Sequence, residues 1–228
     1  MDGYPFPPSS PLQNGTIEVK QINPRIDAAG NLQYFGELIN KSTEPACDVQ
    51  IYIDSKDPSG GPDSIDFDFV QGSTLLVSSF PEWTCLNPNE VGAFDVASPL
   101  HSSPASLSSS IYWNKDNIST PKVTSAEVVV EGLTESTGPA GNRVLVGSIK
   151  NKNSHYTLSQ VRIAFAAIDA GEKVIDTQLN FINGSDCQQA GNNCLTAGAS
   201  GSFSVPLAVL PSEAKSYKYK INYNVMEQ

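Results

Sequence analysis

Charge is sparse in this sequence, and positive charge sparser still. Charged residues account for 17% of the chain, below the roughly 25% of an ordinary soluble domain. Lys and Arg number 14 against 24 Asp and Glu, for a formal net charge of -10 and a pI of about 4.6. Such a chain repels a phosphate backbone, which excludes nucleic acid as a partner. No run reaches the roughly 18 apolar residues that a membrane-spanning helix needs. The opening stretch MDGYPFPPSSPLQNG has neither the basic start nor the apolar middle of a signal peptide, so any export signal or anchor is expected to have been removed already. There are two histidines, His101 and His155, each alone in a loop-like stretch, and no Cys-x-x-Cys, which excludes a zinc site by spacing. Gly-x-Ser-x-Gly, the P-loop and His-Glu-x-x-His are all missing. The expectation is therefore a non-catalytic chain with no cofactor.

What fills the composition instead is Ser, Thr, Asn, Gly and Pro, residues that compete with a helical backbone and suit strands and turns. Period-two alternation is plain in YKYKINYNV, where Tyr217, Tyr219, Ile221, Tyr223 and Val225 alternate with Lys218, Lys220, Asn222 and Asn224. In the run ending at Asn114, Leu107, Ser109, Ile111 and Trp113 take the inner face. Such strands are expected to bury one face and wet the other. Turn signals punctuate them at Ala29-Gly30-Asn31, Asn40-Lys41-Ser42, Pro58 to Pro62, Asn87-Pro88-Asn89, Ala140-Gly141-Asn142 and Asp169 to Glu172. No stretch has a convincing helical pattern.

The chain also repeats itself. Cys85-Leu86, five residues, then Gly92-x-Phe94-x-Val96 recurs 109 positions later as Cys194-Leu195, five residues, then Gly201-x-Phe203-x-Val205. In the same order, Gly30-Asn31 matches Gly141-Asn142, and Gly36 to Asn40 matches Gly147 to Asn151. Val49, Ile51 and Ile53 match Val161, Ile163 and Phe165, Pro99-Leu100 matches Pro206-Leu207, and SIYWN matches KINYN. A repeat this long means two whole domains rather than solenoid units. The fold expected is all-β: two tandem immunoglobulin-like β-sandwich domains related by internal duplication. A Pro-rich leader would occupy 1–14, the first sandwich 15–114, a short linker 115–122, and the second sandwich 123–228.

The second half reads VGSIKNKNS, VRIAFAAIDAGEKV, LTAGASGSFSV and a closing Tyr-rich strand. In this it resembles the FxLYD-type domain of bacterial and archaeal envelope proteins. Gly147, Asn151, Asp169, Gly171, Val174, Leu195, Gly198, Phe203 and Val205 match the family pattern. Ala197 stands where the family has Pro. The first half has that proline in Leu86-Asn87-Pro88, but Asn89 in place of the following glycine, and its hairpin is enlarged by SKDPSGGPDS. The resemblance implies a small β-sandwich on the outer side of a membrane. It supplies no functional residues.

The four cysteines, Cys47, Cys85, Cys187 and Cys194, point to disulfides and an oxidising compartment. Of three possible pairings, Cys187–Cys194 can close a short Gly-Asn loop, leaving Cys47–Cys85 for the first domain. The acidic hairpin offers Asp54, Asp57 and Asp63 as candidate Ca²⁺ ligands, although their spacing is not that of an EF-hand. Asp66 and Asp68, alternating with Phe67 and Phe69, read as the wet face of a strand. Trp113 reads as core. Trp83, with Glu82 and Tyr112, is the candidate binding surface, because there the first half departs from its duplicate. The function expected is an extracytoplasmic structural, adhesive or protein-interaction module of a cell envelope, meeting a protein or glycan at the cell surface. The alternative is a carbohydrate-binding module with Ca²⁺, which predicts an exposed aromatic platform containing Trp83, Tyr112 or Tyr156.

Overall fold

The computed structural model describes residues 16–27, 29–75, 84–100, 104–114, 126–139, 141–187, 191–209 and 212–226. The expected leader and linker lie outside them. Sixteen strands run through the described residues, with no helix among them. The first eight are β1 (Ile17–Ile26), β2 (Leu32–Asn40), β3 (Ala46–Lys56), β4 (Pro62–Phe69), β5 (Thr74–Leu75), β6 (Thr84–Leu86), β7 (Val91–Ala97) and β8 (Ser106–Asn114). The remaining eight are β9 (Val128–Thr137), β10 (Arg143–Asn151), β11 (Thr157–Ile168), β12 (Val174–Phe181), β13 (Ser185–Cys187), β14 (Gly191–Cys194), β15 (Ser200–Pro206) and β16 (Ser216–Met226). All pairings of these strands are antiparallel.

One sheet has the order β1-β2-β7. Opposite it, β3 carries β8 along one edge and β4 followed by β6 along the other, with β5 beyond β6. Leu32, Tyr34, Leu38, Phe94 and Val96 from the first sheet meet Val49, Ile51, Ile53 and Trp113 from the second in one buried cluster. Trp113 is core, as its alternation predicts, with Leu107 and Ile111 packed beside it. The β9–β16 half has sheets ordered β9-β10-β15 and β12-β11-β16, plus the β13-β14 hairpin. They close over a second cluster that includes Leu145, Ile149, Ile163, Phe165, Phe203 and Val205.

The repeated residues do the same jobs in both halves. The Phe94 ring lies where a side chain on Gly36 would stand, and the Phe203 ring does so at Gly147. Leu86 crowds Gly92, and Leu195 crowds Gly201. Asn40 and Asn151, both fully buried, donate from Nδ2 to the carbonyls of Leu86 (2.9 Å) and Leu195 (3.2 Å) respectively. Asp48 (φ 50°) and Gln160 (φ 51°) are left-handed at the register shifts of β3 and β11. Asn89 (φ 63°) and Gly198 (φ 74°) share that conformation in the turn after the Cys-Leu pair. Among non-glycine residues Asn tolerates it best, which is why it can stand in for the glycine.

Two readings of strand faces need correction. Register pairs Tyr52 with Phe67, and Ile51 and Ile53 with Asp68 and Asp66. Residues directly opposed across strands share a face, so Phe67 lies outside with Tyr52, while Asp66 and Asp68 turn inward and are half-buried. The edge strand β4 tolerates this because its inner side meets a polar rim, where the Ser64 hydroxyl donates to Asp66 (2.7 Å) and lies 3.3 Å from the Ser98 hydroxyl.

The second correction concerns β16. Its Lys and Asn residues do not simply face water, because the outer face of β12-β11-β16 packs on the outer face of β1-β2-β7. Phe35, Ala166, Ile168 and Val174 form a small buried cluster there, with Ala93 against it. Lys218 pairs with the buried Glu37 (2.5 Å), which also holds Lys20 (3.2 Å). Lys220 pairs with Glu90, Arg25 with Glu213 (2.6 Å), and the fully buried Asn222 donates to the Gly72 carbonyl.

Candidate interaction face

The outer face of β4-β3-β8 carries an aromatic row. It exists because alternation commits Ile51 and Ile53 to the core, leaving Gln50, Tyr52 and Asp54 outside. Pairing then adds Phe69, Phe67 and Ile65 from β4 and Tyr112, Ser110 and Ser108 from β8. Tyr52 stands in the middle. It stacks on Phe67 with ring centroids 4.9 Å apart and planes 14° from parallel. On its other side Tyr112 makes an edge contact, also at 4.9 Å. Phe67 meets the edge of Phe69 at 6.4 Å. Offset and edge-to-face pairs of this kind add to the stabilisation from burial alone.

The row is only partly covered. Ile65 is 67% exposed and Phe67 41%, adjacent apolar side chains on an edge strand. The polar border is short: Gln50 donates to Asp48 (3.3 Å) and the Tyr52 hydroxyl donates to Gln50 (3.1 Å). Burial, then the neighbouring Tyr112 and Asp48, raise the pKa of the Tyr52 phenol, so it stays a neutral hydrogen-bonding group. Because Tyr52 is flanked by rings on both sides, one face each of Tyr52 and Phe67 is already taken.

Of the residues singled out from sequence, Tyr112 falls in this row. Trp83 and Glu82 lie outside the described residues, as does His101. Tyr156 is partly buried and packs against the second core. His155 is exposed, its backbone N–H donating to Asn153 (2.7 Å). Asp57 serves its own hairpin: its carboxylate accepts from the Ser59 N–H (2.7 Å), the Ser59 hydroxyl (2.6 Å) and the Gly61 N–H (3.0 Å). The Ser59 hydroxyl, followed by the Gly61 amide, holds its pKa below the ordinary carboxylate value. Asp54 lies 4.0 Å from Lys56 and accepts from Ser108. Asp63 is exposed. No group of three metal-ligating side chains converges among the described residues.

Cys47 and Cys85 form a disulfide between directly opposed positions of β3 and β6. Cys194 is also disulfide-bonded. The backbone of Cys187 pairs with Gly191, and its side chain lies outside the described set. No helix among the described residues is long and apolar enough to cross a membrane. Sequence reasoning missed Tyr52, Phe67 and Ile65. The signal that could have found them was the parity of β3: once Ile51 and Ile53 are core, Tyr52 must be outside. Compared with known protein families and with characterised proteins, the chain matches none.

Proposed function

We propose that the chain is a non-catalytic, extracytoplasmic protein-interaction module of a cell envelope, built as two immunoglobulin-like sandwiches that arose by duplication and resemble the FxLYD type. The duplication reading is supported by the recurrence of strand order, of the Gly–Phe and Gly–Leu packing, and of the buried Asn bonded to the Cys-Leu carbonyl. The Cys47–Cys85 disulfide supports an oxidising compartment. The observation that carries the interaction reading is the row of exposed Ile65 and Phe67 and half-buried Tyr52 and Tyr112 on a three-stranded sheet face. Contiguous exposed apolar and aromatic surface marks contact sites, and aromatic residues dominate their energetics.

The partner in this reading is a protein with a complementary apolar surface. Binding of the labelled chain to isolated envelopes of its source cells tests it. Protease treatment of the envelopes should abolish binding, and glycan removal should leave it intact. Phe67→Ser and Ile65→Ser should each weaken binding about tenfold or more, the scale of a truncated hot spot. Binding that resists protease and disappears with the glycans would instead support the carbohydrate reading, with or without Ca²⁺. Binding untouched by either substitution would remove the face from the account.

A further inference from the structure

Between the packed outer faces of the two halves lies a cleft of about 500 Å³, within the range of small-molecule sites. Its apolar wall is made by Phe69, Ala93, Ala164 and Leu179. Into it project Asp95 of β7 and Gln71, whose backbone pairs with Ala93. Asp95 Oδ1 and Gln71 Oε1 are both buried acceptors with no hydrogen-bond donor among the described residues. Buried acceptors without donors are rare and costly in folded proteins, so this pair calls for an explanation.

The charges around the cleft specify what could supply the missing donors. Facing it are Glu37 on β2, Asp68 on β4, Lys218 and Lys220 on β16, and Asp176 of β12 lies close enough to act on Asp95. Arg162 of β11 donates from Nε to Asn222 (3.4 Å). Both lysines are committed, Lys218 to Glu37 and Lys220 to Glu90. Neither lysine therefore serves Asp95 Oδ1 or Gln71 Oε1. A bare hard cation would want six or more oxygens, and no cluster of three ligating groups is present among the described residues. A primary ammonium is the better match. It brings three N–H donors on a compact charge, and an aliphatic stem behind it would cover the Ala93 and Leu179 wall.

We propose that this cleft binds a primary ammonium on an aliphatic stem, with Asp95 and Gln71 accepting from the nitrogen. The ligand is either a free diamine or the side chain of a lysine. Burial first, then Asp68 and Asp176, raise the pKa of Asp95 to about 7. An incoming cation stabilises the ionised form, so binding releases a proton when it occurs below that value.

Titration calorimetry of the full chain with 1,5-diaminopentane, and separately with Nα-acetyl-lysine methylamide, tests the assignment. Saturable binding is expected for at least one of them, stronger at about pH 8 than at about pH 6. At the lower pH the heat should vary with the ionisation enthalpy of the buffer, as proton release requires. 1-Pentanol, which keeps the stem and lacks the charge, should not bind. Asp95→Asn keeps the shape of the side chain and should weaken amine binding at least about tenfold while the variant still melts cooperatively. Preference for the diamine identifies a free polyamine as the ligand class, and preference for the lysine derivative a lysine-bearing peptide. No binding of either amine up to about 10 mM, equal binding of pentanol, or undiminished binding by Asp95→Asn overturns the proposal.

Discussion

Two carboxylates on the same sheet face are shifted in opposite directions, and each contributes to how stability depends on pH. Asp95 is pushed up to about 7 by burial, with Asp68 and Asp176 adding to it. In the folded chain it therefore keeps a proton that an unfolded aspartate gives up near pH 3.9. Stability falls as pH rises between those values, by up to about 4 kcal/mol, and the cost is complete above the folded value. Glu37 is also pulled upward by burial, but its bonds to Lys218 and then Lys20 outweigh that and hold it below its ordinary value. Its contribution is present above the unfolded pKa of a glutamate and is lost as pH falls through the folded one. From these two groups stability should thus be greatest near about pH 4, where Glu37 is ionised and Asp95 still costs little, and should decline from there towards pH 7. Asp95→Asn should raise the unfolding free energy by about 2–4 kcal/mol at pH 8 and by little near pH 4, as read by urea denaturation at both. An equal effect at both pH values would assign Asp95 to packing alone. Neither role was legible in the sequence. Alternation places Asp95 outside the core between Phe94 and Val96, but it does not say what covers the outside.

At the level of strands and turns the sequence carried much more. Several of the repeated residues prove to be ones whose size or hydrogen bonding is fixed by their neighbours: Gly36 and Gly147 by phenylalanine rings, Gly92 and Gly201 by leucines, Asn40 and Asn151 by the buried carbonyls to which they donate. Asn151 donates to the carbonyls of Tyr156 (2.8 Å), Leu195 and Thr196 (both 3.2 Å), and accepts from the Asn153 N–H (3.1 Å). Asn151→Ala should therefore cost about 2–4 kcal/mol, as buried carbonyls lose their donor, and Asn40→Ala a similar amount. Chemical denaturation of the two variants checks this, and a loss below about 0.5 kcal/mol in either would mean that water replaces the amide without penalty. The turn after the Cys-Leu pair gives a contrasting case. Gly198→Ala puts a side chain at φ 74° and should cost about 1 kcal/mol, whereas Asn89→Gly should be close to neutral. What failed at this scale was β4, where Phe67 and Asp66 were assigned to the wrong faces. Alternation gives two faces but not which is inward. On an edge strand the register with the neighbour decides, and here Tyr52 draws Phe67 outward.

For the molecule as a whole, the polar face of β16 explains how the two cores are joined. Lys218, Lys220 and Asn222 look like a solvated row in sequence, yet each finds its partner on the other half, in Glu37, Glu90 and the Gly72 carbonyl. Long-range partners of this kind leave no periodic trace, which is why the contact between halves was not legible. Of its ion pairs, Lys218–Glu37 is modest, because Lys218 remains 54% exposed and water competes for it, whereas Lys220 and Glu90 are only 20% and 14% exposed. The apolar cluster of Phe35, Ala166, Ile168 and Val174 adds coupling that does not depend on charge. It lies apart from both main cores, so it can be removed without hollowing either. Phe35, 4% exposed, is the largest member. Phe35→Asp deletes its packing, worth about 3–5 kcal/mol for a buried aromatic, and buries a carboxylate next to Glu37. Calorimetry of the native chain should give a single transition, in which the halves melt together. The variant should give two, one for each core, with the Cys47–Cys85 disulfide intact in both. Were Phe35→Asp to melt in one transition at the native temperature, the halves would have to be coupled through the ion pairs. In that case high salt, which screens exposed pairs, should split the transition of the native chain instead.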